Sequence, residues 1–253
     1  MTWSEMQPVL NNACLDTLFM VWWATVYAVL GGLPLGILLV LTDRGNLLQN
    51  AAVNKVMSVV VNIGRSLPFI ILMITLIPFT RLVVGTSVGP TAAVVPLAIG
   101  AVPFFARLVE TSIREVDHGL VEAVQAMGGN TWTIVRKVLL PQSLPSIVAG
   151  LTTTVIVLIG YSAMAGTVGG GGLGNVAVTY GQQRADTRFM LITVLLLIVI
   201  VTVVQLLGGF AARRIAGRGS RAEAPLRALR RRAPRDADAD APESAEIALS
   251  KTV

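Results

Sequence analysis

Residues 122–141 read EAVQAMGGNTWTIVRKVLLP, and this polar stretch lies between two long apolar segments. No charged residue occurs at positions 82–106 before it, and the uncharged run that starts inside it extends over positions 138–183. About 20 consecutive apolar residues are enough to cross a bilayer as a helix. The stretch is therefore expected to form a surface loop between two transmembrane helices, where a membrane protein contacts something outside the membrane.

The composition places the chain among integral membrane proteins. Its 253 residues are 54% hydrophobic, and its mean hydropathy is +0.72. Only 13% of the residues are charged, against about 25% in a typical soluble domain. A soluble protein of this size could not bury so much apolar surface. With a single cysteine, Cys14, and a single histidine, His118, the chain offers neither an intrachain disulfide nor a multi-histidine metal site.

Charge-free runs predict an all-α membrane protein with about five transmembrane helices. The predicted spans are residues 17–41, 57–79, 88–110, 148–169 and 189–210. Because a backbone in lipid must satisfy its own hydrogen bonds, these segments are expected to be helical. Repeated strands of about ten alternating residues, which would indicate a barrel, do not occur.

The distribution of Lys and Arg predicts an N-terminus outside the cell and a cytoplasmic C-terminus. In this orientation the inside segments hold sixteen basic residues and the outside segments three, or six against three without the C-terminal tail. Residues 1–12 would then be an external segment and residues 13–210 the transmembrane domain. The loop at about 111–147 would be cytoplasmic.

The C-terminal tail, residues 211–253, is rich in Arg, Ala, Asp, Glu and Pro and includes the cluster Arg230-Arg231-Arg232. Low aromatic content favours a solvated, disordered tail whose first arginines set the orientation. The alternative is contact with anionic lipid or nucleic acid. The first interpretation is preferred, and no nucleic-acid partner is expected.

The polar stretch itself predicts two short helices joined by a tight turn. Gly128, Gly129 and Asn130 break the first helix, and Thr131 is a fair cap for the second, which is expected to stop at Pro141. One side of the first helix would carry apolar residues and the other Glu122 and Gln125. The apolar residues are Leu120, Val121, Ala123, Val124 and Met127.

The spacing of this stretch resembles the cytoplasmic loop of ATP-binding-cassette (ABC) importer permeases. That loop reads Glu-Ala-Ala, three residues, Gly, nine residues, Ile, any residue, Leu-Pro. Here Val124 stands for the second alanine and Val138 for the isoleucine. The resemblance implies a loop that docks on an ATPase. The residues implied in docking are Glu122, Ala123, Met127, Gly128, Val138, Leu140 and Pro141.

Further segments are similar to the methionine-importer branch of this family, and the resemblance covers roughly residues 13–210. The segments are residues 62–70, 77–81, 84–86, 136–141 and 160–166. The resemblance implies a type I importer permease that takes up methionine across the bacterial cytoplasmic membrane; uptake of both enantiomers and of derivatives stays open. The implied partners are a second copy of the chain, two ABC ATPase subunits, an external substrate-binding protein and membrane lipids.

The chain lacks the residues for ATP hydrolysis. A phosphate-binding loop needs a Gly-Lys pair, which occurs nowhere in the sequence. We therefore expect a transport subunit that is not an enzyme and holds no cofactor, with ATP and Mg²⁺ on the partner ATPase. Gly169, Gly171 and Gly174 formally satisfy the dinucleotide-binding pattern, but no acidic residue follows at the required distance, so an external turn is the better interpretation.

Candidate pathway residues lie in the fourth span. Tyr161, Ser162 and Met164 occur among small residues that let helices approach closely. The alternative is ordinary helix packing, and the family resemblance favours a line along the central pathway. Arg65 is the only charge within the second apolar segment, and it faces either a cavity or the membrane interface.

Two other functions stay open from the sequence. The chain could be an ABC permease for another small amino acid. More distantly, it could be a secondary transporter working alone, although such proteins usually carry embedded acidic residues or inverted repeats. Here Glu110 lies only at the edge of the third span.

Overall fold

The computed structural model describes residues 3–232, with side chains at residue 4 and residues 6–217, and the regular elements of this part are all helical. The chain divides into one unit of residues 1–215 and another of residues 216–253, of which residues 216–232 are described and helical. The helices are α1 (Trp3–Leu41), α2 (Ala51–Ser66), α3 (Phe69–Thr75), α4 (Ile77–Val84), α5 (Pro90–Arg114), α6 (His118–Ala126), α7 (Thr131–Ile134), α8 (Leu140–Thr167), α9 (Gly172–Val176) and α10 (Thr187–Arg232), with π-helical turns at Val135–Leu139 and Ala177–Gln183.

Four helical stretches in the described part are long and apolar enough to cross a membrane, and a bent pair provides a fifth candidate span. The four are Met6–Leu41, Pro90–Arg114, Thr131–Thr167 and Thr187–Gly217. The all-α class and the approximate number of spans are therefore confirmed.

Residues 3–12 of the N-terminal segment predicted to lie before the first span belong to α1. The helix begins at Trp3, and Met6, Leu10 and Ala13 are buried in a small apolar cluster with Leu173 and Phe189. Four-residue and three-residue spacing places the three α1 side chains on one side of the helix. Burial of this side explains why the helix extends well before residue 17.

The centre of the fold is the contact between α1 and α5, which is close because α1 carries glycine at positions 32 and 36. A Cβ atom at Gly32 would lie 2.9 Å from the carbonyl oxygen of Val102. At Gly36 it would lie 2.5 Å from the carbonyl oxygen of Ala106 and 2.7 Å from Cβ of Val109. Small residues four apart allow the backbones of two membrane helices to approach in this way.

Replacing Gly36 with leucine is expected to destabilise the protein, since the obstructing atoms belong to the backbone of α5. Inserting methylene groups into a packed contact typically costs about 1–3 kcal/mol. The apparent unfolding temperature of the protein in detergent should fall by several degrees. Gly160→Leu is the matched control, because nothing in the described part of the chain lies within 4 Å of a Cβ atom at that position. Equal unfolding temperatures for both variants would contradict the interpretation.

The second predicted span, residues 57–79, corresponds to the bent pair and is divided among α2, α3 and α4. α2 and α3 meet at an angle of 103°. Leu67 adopts extended backbone, with φ −78° and ψ 128°, immediately before Pro68. Proline disfavours helical geometry in the preceding residue and has no N–H to continue the ladder. α4 follows after Leu76 and ends at Gly85, whose φ of +81° is left-handed.

The last helix continues beyond the predicted end of the fifth span at residue 210. α10 runs to Arg232, so the first part of the predicted tail, residues 211–232, is helical rather than irregular. Alanine, arginine, leucine and glutamate, which dominate this segment, all have high helix propensity. Residues 233–253 lie outside the described residues, and their predicted disorder stays a prediction.

Candidate functional site

The short helix α6 is the centre of the predicted coupling loop. Its N-terminus is capped by Asp117, whose carboxylate accepts a hydrogen bond from the Gly119 backbone N–H at 2.8 Å. Glu122 and Ala123 are exposed. No hydrogen bond or ion pair involves the Glu122 side chain among the described residues. This carboxylate is therefore available to a partner.

The predicted apolar side of α6 divides into an inner and an outer part. Val121 and Val124 are half-buried and pack against the main core. Leu120, Ala123 and Met127 are exposed, and Met127 exposes 77% of its surface. The inner valines hold the helix on the protein, while the outer residues form an apolar surface without a partner in this chain.

The turn after α6 is a Schellman motif. The Gly128 N–H donates to the carbonyl oxygen of Gln125 at 2.9 Å, and the Gly129 N–H donates to that of Val124 at 2.9 Å. Gly128 has a φ of +79°, a left-handed conformation that glycine adopts without steric cost. The turn fixes the direction in which the chain leaves α6.

The second short helix starts one residue earlier than predicted and does not stop where predicted. Asn130, not Thr131, is the cap: its side-chain oxygen accepts hydrogen bonds from the Thr133 backbone N–H at 2.8 Å and hydroxyl at 2.7 Å. The helix then continues without a break to Thr167. The π turn explains this continuity past Pro141, because wider i→i−5 bonding accommodates a residue that cannot donate.

The C-terminal half of the predicted loop motif is therefore part of a long helix. Val138 is buried, Leu140 is half-buried and packs against the main core, and Pro141 is exposed. Val138 and Leu140 thus anchor the loop to the membrane domain rather than presenting a docking surface.

The predicted pathway residues do not share one face of α8. Tyr161 is half-buried and stacks on Phe69 of α3, with ring centroids 4.4 Å apart and planes 3° apart. Ser162 is buried, and its hydroxyl donates to the Ile159 carbonyl oxygen at 2.7 Å. Met164 is exposed. The Ser162 side chain is therefore not accessible in this chain. Tyr161 and Met164 stay candidates for residues that line a pathway.

Arg65 lies in the last turn of α2, one residue before the end of that helix at the break. Its side chain is exposed, and no partner is found for it among the described residues. The structure thus places this charge on an open surface of the single chain.

The glycine-rich segment predicted as an external turn is partly helical. Gly169 and Gly171 have φ values of +92° and +79° and form the turn. Gly174 instead belongs to α9, where it is buried against the backbone of Ala163. The Thr17 hydroxyl oxygen accepts a hydrogen bond from the buried Leu173 N–H at 2.9 Å. Close packing on α1 and α8 explains why the second half of the segment is ordered helix.

A cluster of four charged side chains lies at the end of α5 that leads into α6. Arg114 contacts Asp43 at 2.7 Å and Glu110 at 2.9 Å, and Arg107 contacts Glu110 at 2.8 Å. The hydrogen bond from Arg114, followed by that from the Arg44 backbone, holds the pKa of the Asp43 carboxyl below its usual value. Asp43 therefore keeps its negative charge at neutral pH.

The family model described as "Binding-protein-dependent transport system inner membrane component" matches residues 10–217. The chain belongs to this family. As an inner membrane transport component it is a transport protein rather than an enzyme, in agreement with the prediction from the sequence. Its location in the bacterial cytoplasmic membrane is likewise confirmed.

Two curated relatives are similar over most of the chain. The "Probable D-methionine transport system permease protein MetI" of Pasteurella multocida (strain Pm70) is 52% identical over 200 residues, which are 79% of this chain and 92% of the relative. The "Methionine import system permease protein MetP" of Bacillus subtilis (strain 168) is 47% identical over 197 residues, which are 78% and 89% of the two chains.

Two solved structures share the fold of this transport component. A chain of the structure described as "Inward facing conformations of the MetNI methionine ABC transporter" superposes with a TM-score of 0.83 at 44% identity, covering 85% of this chain and 99% of that one. A chain described as "Crystal structure of an amino acid ABC transporter with histidines" gives a TM-score of 0.70 at 22% identity, over 83% and 96%. The first likeness confirms the predicted type I importer permease fold.

Two features of the transport component were missed from the sequence. Trp132, in α7, is 69% exposed and adds a large aromatic surface to the loop. A tryptophan in a polar stretch just after a glycine turn was a usable signal, because exposed aromatic residues are enriched at interfaces. The pairing of Asp43 with Arg114 had no sequence signal, since the two residues are far apart in the chain.

Proposed function

We propose that the chain is the membrane permease subunit of an ATP-driven methionine importer. The observation that carries this proposal is the identity of about half of all residues, over four fifths of the chain, with relatives described as methionine permeases. The high coverage of those relatives supports carrying over their activity as a whole, including the D-methionine that several of their names specify.

The working unit is two copies of this chain with two ABC ATPase subunits, which bind ATP and Mg²⁺. An external binding protein delivers methionine, and the N-terminus lies outside the cell. The likeness to a chain of a methionine ABC transporter supports the ATPase partners and the second copy. The asymmetric distribution of Lys and Arg supports the orientation.

Coupling depends on the surface formed by α6, its Schellman turn and α7. ATP binding closes the ATPase subunits, the loop moves with them, and the two permease copies change from inward-facing to outward-facing. Shifting such an equilibrium from 1:99 to 99:1 requires about 5.5 kcal/mol of differential binding. Exposed Trp132 is of a residue type that concentrates binding energy at interfaces, and exposed Leu120 and Met127 add apolar contact area beside it.

The test is uptake of labelled methionine in cells that lack their own methionine importers. The chain is expressed with its ATPase and binding protein, or with an ATPase whose phosphate-loop lysine is substituted. We expect uptake well above background only with the intact lysine. Equal uptake with the substituted ATPase would indicate a transporter that works without the motor. Uptake that other unlabelled amino acids abolish more effectively than methionine would indicate a different substrate.

A further inference from the structure

The charge cluster at the end of α5 joins this helix to the end of α1, and the two helices are not consecutive in the chain. Arg107, Glu110 and Arg114 belong to α5, whereas Asp43 lies just beyond the end of α1. Glu110 is only 3% exposed, so its carboxylate needs a cationic partner. Arg107 and Arg114 both provide one.

The two arginines of the cluster differ in what they connect. Arg107 contacts Glu110 within α5. Arg114 contacts the same carboxylate through Nε at 3.1 Å and Nη2 at 2.9 Å, and with Nη2 it also reaches Asp43 at 2.7 Å. Neutralising Glu110 would need only one arginine. The second contact of Arg114 therefore does something beyond charge compensation: it ties α5 to the end of α1.

This contact lies just before α6, which is called the coupling helix from here on. Only three residues separate Arg114 from the start of α6. Beneath α6, a cavity of about 170 Å³ is lined by residues of the α1 end, α5, α6 and the π turn, among them Leu41, Ile113, Val121 and Leu139. Apolar packing holds this junction around the cavity, and Arg114, which also lines it, adds a polar contact to the end of α1.

A second polar contact secures the other side of the same junction. Glu115, the residue directly after α5, accepts a hydrogen bond from the Ser146 hydroxyl of α8 at 3.3 Å. The chain entering α6 is thus tied to α1 through Arg114 and to α8 through Glu115.

We propose that Arg114, through Asp43, is a positioning residue for coupling: it fixes the start of the coupling helix to the end of α1, so that a displacement of α6 moves α1 and α5 together. This inference rests on the proposed function. It assigns the Arg107–Glu110 pair a local role in neutralising a buried carboxylate and the Arg114–Asp43 pair a role in transmission.

The test compares Arg114→Gln and Asp43→Asn with Arg107→Gln in complexes reconstituted with the ATPase and the binding protein. Arg107→Gln is the matched control, since it also leaves one arginine on Glu110 but preserves the tie to α1. The measured quantity is methionine transported per ATP hydrolysed. Because allosteric coupling energies typically correspond to effects of fivefold or more, we expect a loss of about fivefold or more in the first two variants and less than about twofold in the control.

The double variant Arg114→Gln/Asp43→Asn tests whether the two residues act as a pair. The effects of substituting two residues that act through one shared contact are not additive. The double variant should therefore transport at least as much methionine per ATP as the single variant with the lower ratio. Asp43→Glu should restore part of the ratio to its wild-type value. Additive losses, a wild-type ratio in Arg114→Gln, or equal losses in Arg114→Gln and Arg107→Gln would each overturn the proposal.

A second readout does not depend on the substrate. In a Cys14→Ser background, Thr167→Cys places a thiol at the exposed end of α8, and its labelling rate is measured with and without ATP and vanadate. The ATP-dependent change should be present with Arg107→Gln and lost with Arg114→Gln. An unaltered change in Arg114→Gln would overturn the tie, whereas absence of methionine transport in the wild-type complex, with this readout intact, would reject only the proposed substrate.

Discussion

Replacing Gly128 with tryptophan is expected to reduce ATP-driven methionine uptake by at least about tenfold while leaving the membrane domain folded. A loss of tenfold corresponds to about 1.4 kcal/mol of coupling energy, which is less than one good interface contact provides. The measurement is uptake at equal membrane abundance of the complex, together with the ATPase activity of the same preparation.

The reason lies in where the side chain at position 128 would go. In the described part of the chain nothing lies within 4 Å of a Cβ atom there, so the side chain would leave the backbone without obstruction. It would extend from the turn between α6 and α7, across the surface that we propose contacts the ATPase. The left-handed φ of +79° adds a strain of about 1–2 kcal/mol for a non-glycine residue, which a local turn can absorb without unfolding α1 or α5.

Two further variants separate bulk from backbone strain. Asparagine tolerates the left-handed conformation better than other residues, so Gly128→Asn should keep most of the uptake. Gly128→Ala imposes the backbone strain without a bulky side chain, so its uptake should be only slightly lower than that of Gly128→Asn. Uptake by Gly128→Trp at the wild-type level would show that no partner approaches this turn. Equal losses in Ala and Trp variants would assign the effect to the conformation of the turn alone.

The conformation of the proposed coupling loop could be predicted from the sequence only where it depends on local contacts. A helix that ends at a glycine pair and restarts at a polar cap depends on residues within a few positions of one another, and the turn at Gly128 follows these rules. The continuity past Pro141 could not be foreseen, because it depends on a π turn that forms where the helix is buried between neighbours. The contact of Arg114 with Asp43 likewise exists only once α1 and α5 are packed.

The membrane spans likewise have some features that follow from the local sequence and others that depend on tertiary contacts. Uncharged runs located α1, α5, α8 and α10, since crossing the hydrocarbon core requires about 20 consecutive apolar residues. Prolines did not reveal which span would break. Pro96 and Pro103 lie inside the continuous helix α5, whereas Pro68 separates α2 from α3. The difference comes from tertiary contacts. Pro103 packs closely against Gly64 of α2, where an added Cβ atom would lie 2.8 Å from the proline ring. The stacking of Phe69 on Tyr161 holds α3 in its bent position.

Replacing Trp132 with alanine is expected to weaken binding of the ATPase to the permease about 30-fold or more. Tryptophan is the residue type most enriched among interface positions whose truncation costs about 2 kcal/mol or more, and 2 kcal/mol corresponds to about 30-fold in affinity. Trp132 is 69% exposed in this chain, so its removal opens no cavity in the permease itself. The measurement is the Kd of the purified ATPase for the permease in detergent.

Trp22→Ala is the matched control for this substitution. Trp22 is 67% exposed, almost as much as Trp132, but it lies within the membrane-spanning part of α1. Its truncation removes the same side chain from a surface that an ATPase in water cannot reach, so the Kd should stay within about twofold of wild type. Trp132→Phe, which keeps an aromatic ring, should bind with intermediate affinity. An unchanged Kd for Trp132→Ala would place the docking energy elsewhere, on the exposed part of α6 around Met127.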